Sequence, residues 1–293
     1  MEESAAWMQA EAGLAALLDA AFACLVGATA LWRANSALRP LAIARWSSVA
    51  LAITLVLYLG AGTVGMTDAS GSELLPAMWS VLLQSHFGAM IQLGGAACVL
   101  LALLVFVPGM AQAGKARKML FLFGLVAFAF SRAATGHAID KGMFSFAVAN
   151  HTLHVLAACS WVGVAIVCAL ASCSWQSWSS VDRIALTQRA SSVATISLIV
   201  VIGTGVLNTL RTMDLSHLSL NSPYTSILVM KLTGVALAAM FGAYNRWVTM
   251  PRMQLYPGSA GRRFSRVLLV ETIVLLWVLY AAATLGTTMP PMS

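Results

Sequence analysis

Charge is what this sequence has least of. Only 9% of its 293 residues are Asp, Glu, Lys or Arg, where a soluble chain carries about 25%. So few polar side chains cannot cover a water-facing globule. The 60% apolar share equally excludes a disordered chain, which needs low hydrophobicity and high charge. Cysteine is scarce as well: five residues, four of them inside apolar runs, make no disulfide scaffold and show no C-x-x-C spacing. Alternation of apolar and polar residues is missing, which argues against a barrel. No stretch between the apolar runs is long enough for a soluble domain. What remains is one transmembrane domain over 1–293, an all-α polytopic membrane helix bundle.

A membrane helix needs about 20 mostly apolar residues, because the hydrocarbon core is about 30 Å thick. Eight segments qualify: roughly 12–32, 41–62, 76–107, 119–135, 148–172, 191–212, 224–248 and 264–286. The third is long enough to be kinked near Gly88 or Gly94–Gly95, or to start with an interfacial turn at Pro76. The few cations then report orientation. Arg33, Arg39, Arg45, Lys115, Arg117, Lys118, Arg183, Arg189, Arg246, Arg252, Arg262, Arg263 and Arg266 fall on one side, against Arg132, Lys141 and Arg211 on the other. The positive-inside rule puts both termini in the periplasm. The net charge of +7 is therefore a topology signal and not a nucleic-acid footprint. Glu2 and Glu3 replace the basic start of a signal peptide, so the first span is expected to be retained.

Gly109 to Ala116 approaches a phosphate-binding loop, but Ala116 stands where the magnesium-binding Ser or Thr would be, and no strand precedes it. ATP chemistry is not expected, and no catalytic constellation is present; the chain reads as a carrier of something and not as an enzyme.

The ionisable exceptions gather at one face. His86, His137, His151, His154 and His217 all map to the outer half. Intramembrane ionisable groups are functional by default. His151 and His154 are three apart and share a helix face; His86 and Met90 are four apart and do the same. Imidazole suits copper, zinc and iron, and thioether favours Cu(I). The competing readings are a hydrogen-bonded interfacial pair for the histidines and core packing for Met90. Two charges sit within spans. Lys231 could snorkel outward or pair with Asp214, acting as a gate or anchor. Glu271 could meet Arg246 or Asn245 as a structural link.

Three segments carry a family resemblance. His154-Val-Leu-Ala-Ala-Cys-Ser-Trp161-Val-Gly163 resembles the His-(x)6-Trp-x-Gly segment of the copper resistance protein D (CopD) family of inner-membrane proteins. Lys231-Leu-Thr-Gly with Gly242-Ala-Tyr-Asn245-Arg246 is similar to that family's penultimate helix. Arg266, Glu271 and Leu285-Gly-Thr-Thr-Met-Pro290-Pro291 are similar to its last one. The likeness is strongest over 150–291.

The resemblance implies copper transport in the bacterial inner membrane, from periplasm to cytoplasm, often beside a periplasmic CopC-type copper-binding partner. Joined to the residue pattern, it makes copper, as Cu(I) or Cu(II), the substrate. The expected site is His86, His151, His154 and Met90, with His137 and His217 assisting. The rival reading is a haem-binding membrane redox protein of HemJ-like or b-type cytochrome character, since inward His pairs also hold haem.

Overall fold

The computed structural model describes residues 2–31, 40–107, 114–135, 142–175, 178–212, 222–255 and 257–288. All regular structure among them is helical: α1 (Glu2–Ala30), α2 (Pro40–Thr67), α3 (Leu74–Gln84), α4 (His86–Phe106), α5 (Lys115–Ala133), α6 (Phe146–Ser172) and α7 (Ser180–Thr212), then α8 (Pro223–Tyr244), α9 (Met250–Leu255) and α10 (Pro257–Thr287). Hydrocarbon offers backbone groups no water, so a spanning segment must close its hydrogen bonds internally, and helices do so. Among the described residues, seven helices are long and apolar enough to cross a membrane. The expected fourth span is α5, which falls outside that set: Lys115, Arg117, Lys118 and Arg132 occupy its two ends. It nevertheless runs antiparallel along α4. His86 at the start of α4 meets Ala134 just beyond α5, and Arg117 near the start of α5 meets Leu104 and Val107 at the end of α4.

The third expected span is two helices. The break falls at Ser85, whose backbone is extended (φ −108°, ψ 155°). Neither Pro76 nor the glycine pair makes it. The Ser85 hydroxyl donates to the Val81 carbonyl at 2.6 Å and accepts from the Gly88 N–H at 2.8 Å, so one side chain closes α3 and opens α4. His86 is thereby the first residue of a new helix.

Helix α1 packs against α2, α6 and α10. It meets α6 backbone to backbone: a Cβ built on Gly27 would collide with Gly163, and one on Gly163 with the Ala23 carbonyl. Small residues permit this approach where van der Waals packing, not water exclusion, holds helices together. Phe22 and Phe128, both fully buried with centroids 4.6 Å apart, fill the centre. Ile53, Val56 and Leu57 on α2 and Ile196, Ile199 and Ile202 on α7 point outward, apolar faces suited to lipid.

One end of the bundle is basic, and its arginines cap helices. Arg45 donates to the Val105 and Phe106 carbonyls, Arg117 to Leu104 and Val107, and Arg189 to Ala30. Each reaches the last turn of a neighbouring helix, where carbonyls lack intrahelical partners and the helix dipole is negative.

Candidate functional site

The histidines of α6 are held by α7. Their rings stack, centroids 6.0 Å apart and planes 11° apart, as a spacing of three on a helix dictates. The protons can be traced from fixed groups outward. The Thr204 hydroxyl donates to the Val200 carbonyl at 2.6 Å, so its oxygen accepts from His154 Nδ1–H at 2.8 Å. Asn150 Nδ2 donates to the Thr204 carbonyl at 3.0 Å and to Asn208 Oδ1 at 2.8 Å. The Asn208 amide nitrogen therefore faces His151 Nδ1, at 3.2 Å, and donates to it. The two stacked rings are thus opposite tautomers: His154 carries its proton on Nδ1 and His151 on Nε2. A metal-ligating histidine is commonly oriented by a hydrogen bond from one ring nitrogen to the protein, as His154 is by Thr204.

His86 stands apart from this pair. Its Nε2–H donates to the Ala134 carbonyl at 2.9 Å, and its side chain is exposed. Met90, one turn further along α4, is buried among Ala133, Ala134 and Val148, with Phe130 and Met143 against them. The thioether therefore lies where α4 meets α5 and α6, next to the chain that carries His151. His137 and His217 lie outside the described residues, as does Asp214, the expected partner of Lys231. Lys231 is half-buried on α8 and acts electrostatically on both His151 and His154. Among the described residues no three His, Cys, Asp or Glu side chains form a metal-holding group.

A buried ion pair was not foreseen from the sequence. Arg132 grips Asp19 through both carboxylate oxygens, Nε–Oδ1 at 2.9 Å and Nη2–Oδ2 at 3.3 Å, with side chains 12% and 20% exposed. The guanidinium also lies 4.8 Å over the Tyr58 ring. This ties α1, α2 and α5 together beside the histidines, since Arg132 and Asp19 both act on His151. Asp19 was legible as a carboxylate in the middle of an apolar run, the same signal that marks Lys231 and Glu271.

Glu271 does not pair with Arg246. It lies 5% exposed against Gly242, where an added Cβ would stand 3.0 Å from Oε1. Arg246 turns instead to α7, donating to the Ser191 carbonyl and hydroxyl and to Thr195. Arg246 stands in a single π-helical turn, Asn245–Thr249.

Comparison with known proteins places a match in the C-terminal part of the chain. Residues 184–285 match the family model described as Copper resistance protein D. That region holds Thr204, Asn208, Lys231 and Glu271, the partners and charges of the site, while the three described histidines precede it. Inner membrane protein YebZ of Escherichia coli (strain K12) is 26% identical over 251 residues, covering 84% of this chain and 82% of that protein. No solved structure matches. Residues 184–285 are thus similar to copper resistance protein D, within the 150–291 stretch where the sequence resemblance is strongest, in a chain whose described residues include seven helices long and apolar enough to cross a membrane.

Proposed function

We propose that the protein moves copper ions from the periplasm to the cytoplasm. Capture begins at the periplasmic face on His151 and His154, with His86 nearer the entrance and His137 and His217 assisting from the flanking segments. A CopC-type periplasmic copper-binding protein is the donor that the family resemblance implies. The ion then passes inward by Met90, and the step from imidazole to thioether suits copper carried as Cu(I). An inside-negative potential favours entry of a monovalent cation by about 2.3 kcal/mol per 100 mV, so no nucleotide is needed.

The observation that carries this reading is the stacked His151–His154 pair, held at one place by Thr204 and Asn208 of α7. Lys231 sits close enough to oppose a resting cation and serves as a gate. The test is copper content of purified protein and copper accumulation in cells for His86→Ala and for His151→Ala/His154→Ala. Both should fall. Unchanged accumulation in the double variant overturns the site, and a Soret band in the purified protein replaces copper transport with haem chemistry.

A further inference from the structure

The inner half of the bundle holds a chamber that the histidine site does not use. It lies among α6, α7, α8, the π-helical turn and α10, with about 170 Å³ of free space. Cys168, Met250 and Glu271 line it, one from each of three segments. Two observations indicate that it wants an occupant. Glu271 is a carboxylate 5% exposed, and the single ion pair among the described residues is Arg132–Asp19, so Glu271 is in none, although Arg246 lines the same chamber. Asn245, 4% exposed and in the same wall, has its Oδ1 bonded by the Thr249 hydroxyl while its Nδ2 has no partner. Buried charge and unsatisfied buried polar groups are costly unless something completes them.

The donor set indicates what that something is. A thiol and a thioether beside one carboxylate combine two soft ligands with a single negative charge. Soft sulfur ligands select Cu(I), and one carboxylate balances one monovalent cation. We propose that this chamber is a second, inner site that takes a cuprous ion through the sulfurs of Cys168 and Met250, with Glu271 as the base that receives the thiol proton. It rests on the transport reading above and extends it, as the place where an ion that has left the histidines waits before release. Coordination by Cys168 breaks its S–H bond and forms S–Cu; the proton goes to the Glu271 carboxylate, so the loaded chamber is neutral overall. The free Asn245 N–H suits a water molecule that completes the coordination. Arg246 lines both the chamber and a second recess shared by α7 and the π-helical turn. Held on Ser191 and Thr195, it marks the way out to the basic end.

The experiment is anaerobic Cu(I) titration of the full-length protein in detergent against a chromophoric Cu(I) chelator. Wild type is compared with Cys168→Ser, Met250→Leu, Glu271→Gln and His151→Ala/His154→Ala, each first checked for an unchanged melting transition. Wild type should bind one more equivalent than Cys168→Ser, and Met250→Leu should weaken that equivalent at least tenfold. The histidine double variant should keep it, with sulfur neighbours in its copper absorption spectrum. Equal stoichiometry and affinity in wild type, Cys168→Ser and Met250→Leu overturns the inner site. Full stoichiometry in the histidine double variant instead sinks the outer site, so the two failures are told apart. Should Glu271→Gln melt early, the two sulfur variants alone decide.

Discussion

Gly27 and Gly163 meet backbone against backbone, with no room for a Cβ on either side. The contact fixes how α6, which carries both stacked histidines, lies on α1, which carries Asp19. The third letter of the His…Trp-x-Gly segment is therefore a packing residue. Gly163→Ala should force the helices apart, since the obstruction is backbone and cannot rotate away. Overpacking of this kind costs about 1–3 kcal/mol, occasionally more. Thermal melting in detergent measures it, and Gly203→Ala, whose added Cβ meets nothing within 4 Å, is the neutral control.

Thr204→Val removes the acceptor for His154 Nδ1–H at nearly constant shape. The ring is then free to rotate and its tautomer is no longer set. Loss of such an orienting partner typically lowers metal affinity 10–100-fold. Thr204→Ser retains the hydroxyl and should bind copper as wild type does. A Thr204→Val protein with undiminished affinity would mean that the histidine pair is a structural link between α6 and α7 and nothing more.

The Asp19–Arg132 pair should behave as a buried salt bridge does when one half is lost. Asp19→Asn leaves a guanidinium without its counter-charge and should cost about 3–5 kcal/mol. Asp19→Leu/Arg132→Met removes both charges and should recover most of that loss. The comparison is read from melting temperatures of the three proteins. A second readout is copper uptake: Asp19→Asn leaves an unbalanced positive charge beside His151 and should slow cation entry, whereas the double variant should not.

The sequence made the spans legible because a bilayer demands length and apolarity, and this chain has little else. His151 and His154 were legible for the converse reason, as ionisable residues in a run that excludes them. Their partners were not. Thr204 and Asn208 are ordinary small polar residues in α7, and only the apposition of α6 and α7 turns them into tautomer-setting groups. Asp19 finds Arg132 across 113 residues of chain, a separation that no local pattern spans. Glu271 was read toward Arg246 because the two stand near facing ends of adjacent spans, but Arg246 bonds instead to Ser191 and Thr195 of α7. The break at Ser85 was hidden by louder signals: Pro76 and the glycine pair outweigh a serine in any propensity argument, whereas the actual cause is a hydroxyl serving two helices at once.

That double use makes the Ser85 junction a sharp test of how His86 is placed. Ser85→Ala removes the cap on α4 and should cost about 0.5–2 kcal/mol, leaving the break in position because the extended backbone of residue 85 needs no special side chain. Gly88→Ala should do more. A Cβ there would collide with the Val81 and Leu82 carbonyls at the end of α3, so the two helices could no longer turn past each other as they do. The His86 ring would move off the Ala134 carbonyl, and with it the exposed imidazole at the entrance. Copper accumulation should therefore fall in Gly88→Ala and hold in Ser85→Ala, although both lower the melting temperature. Equal uptake in the two variants would show that the position of His86 does not matter to entry.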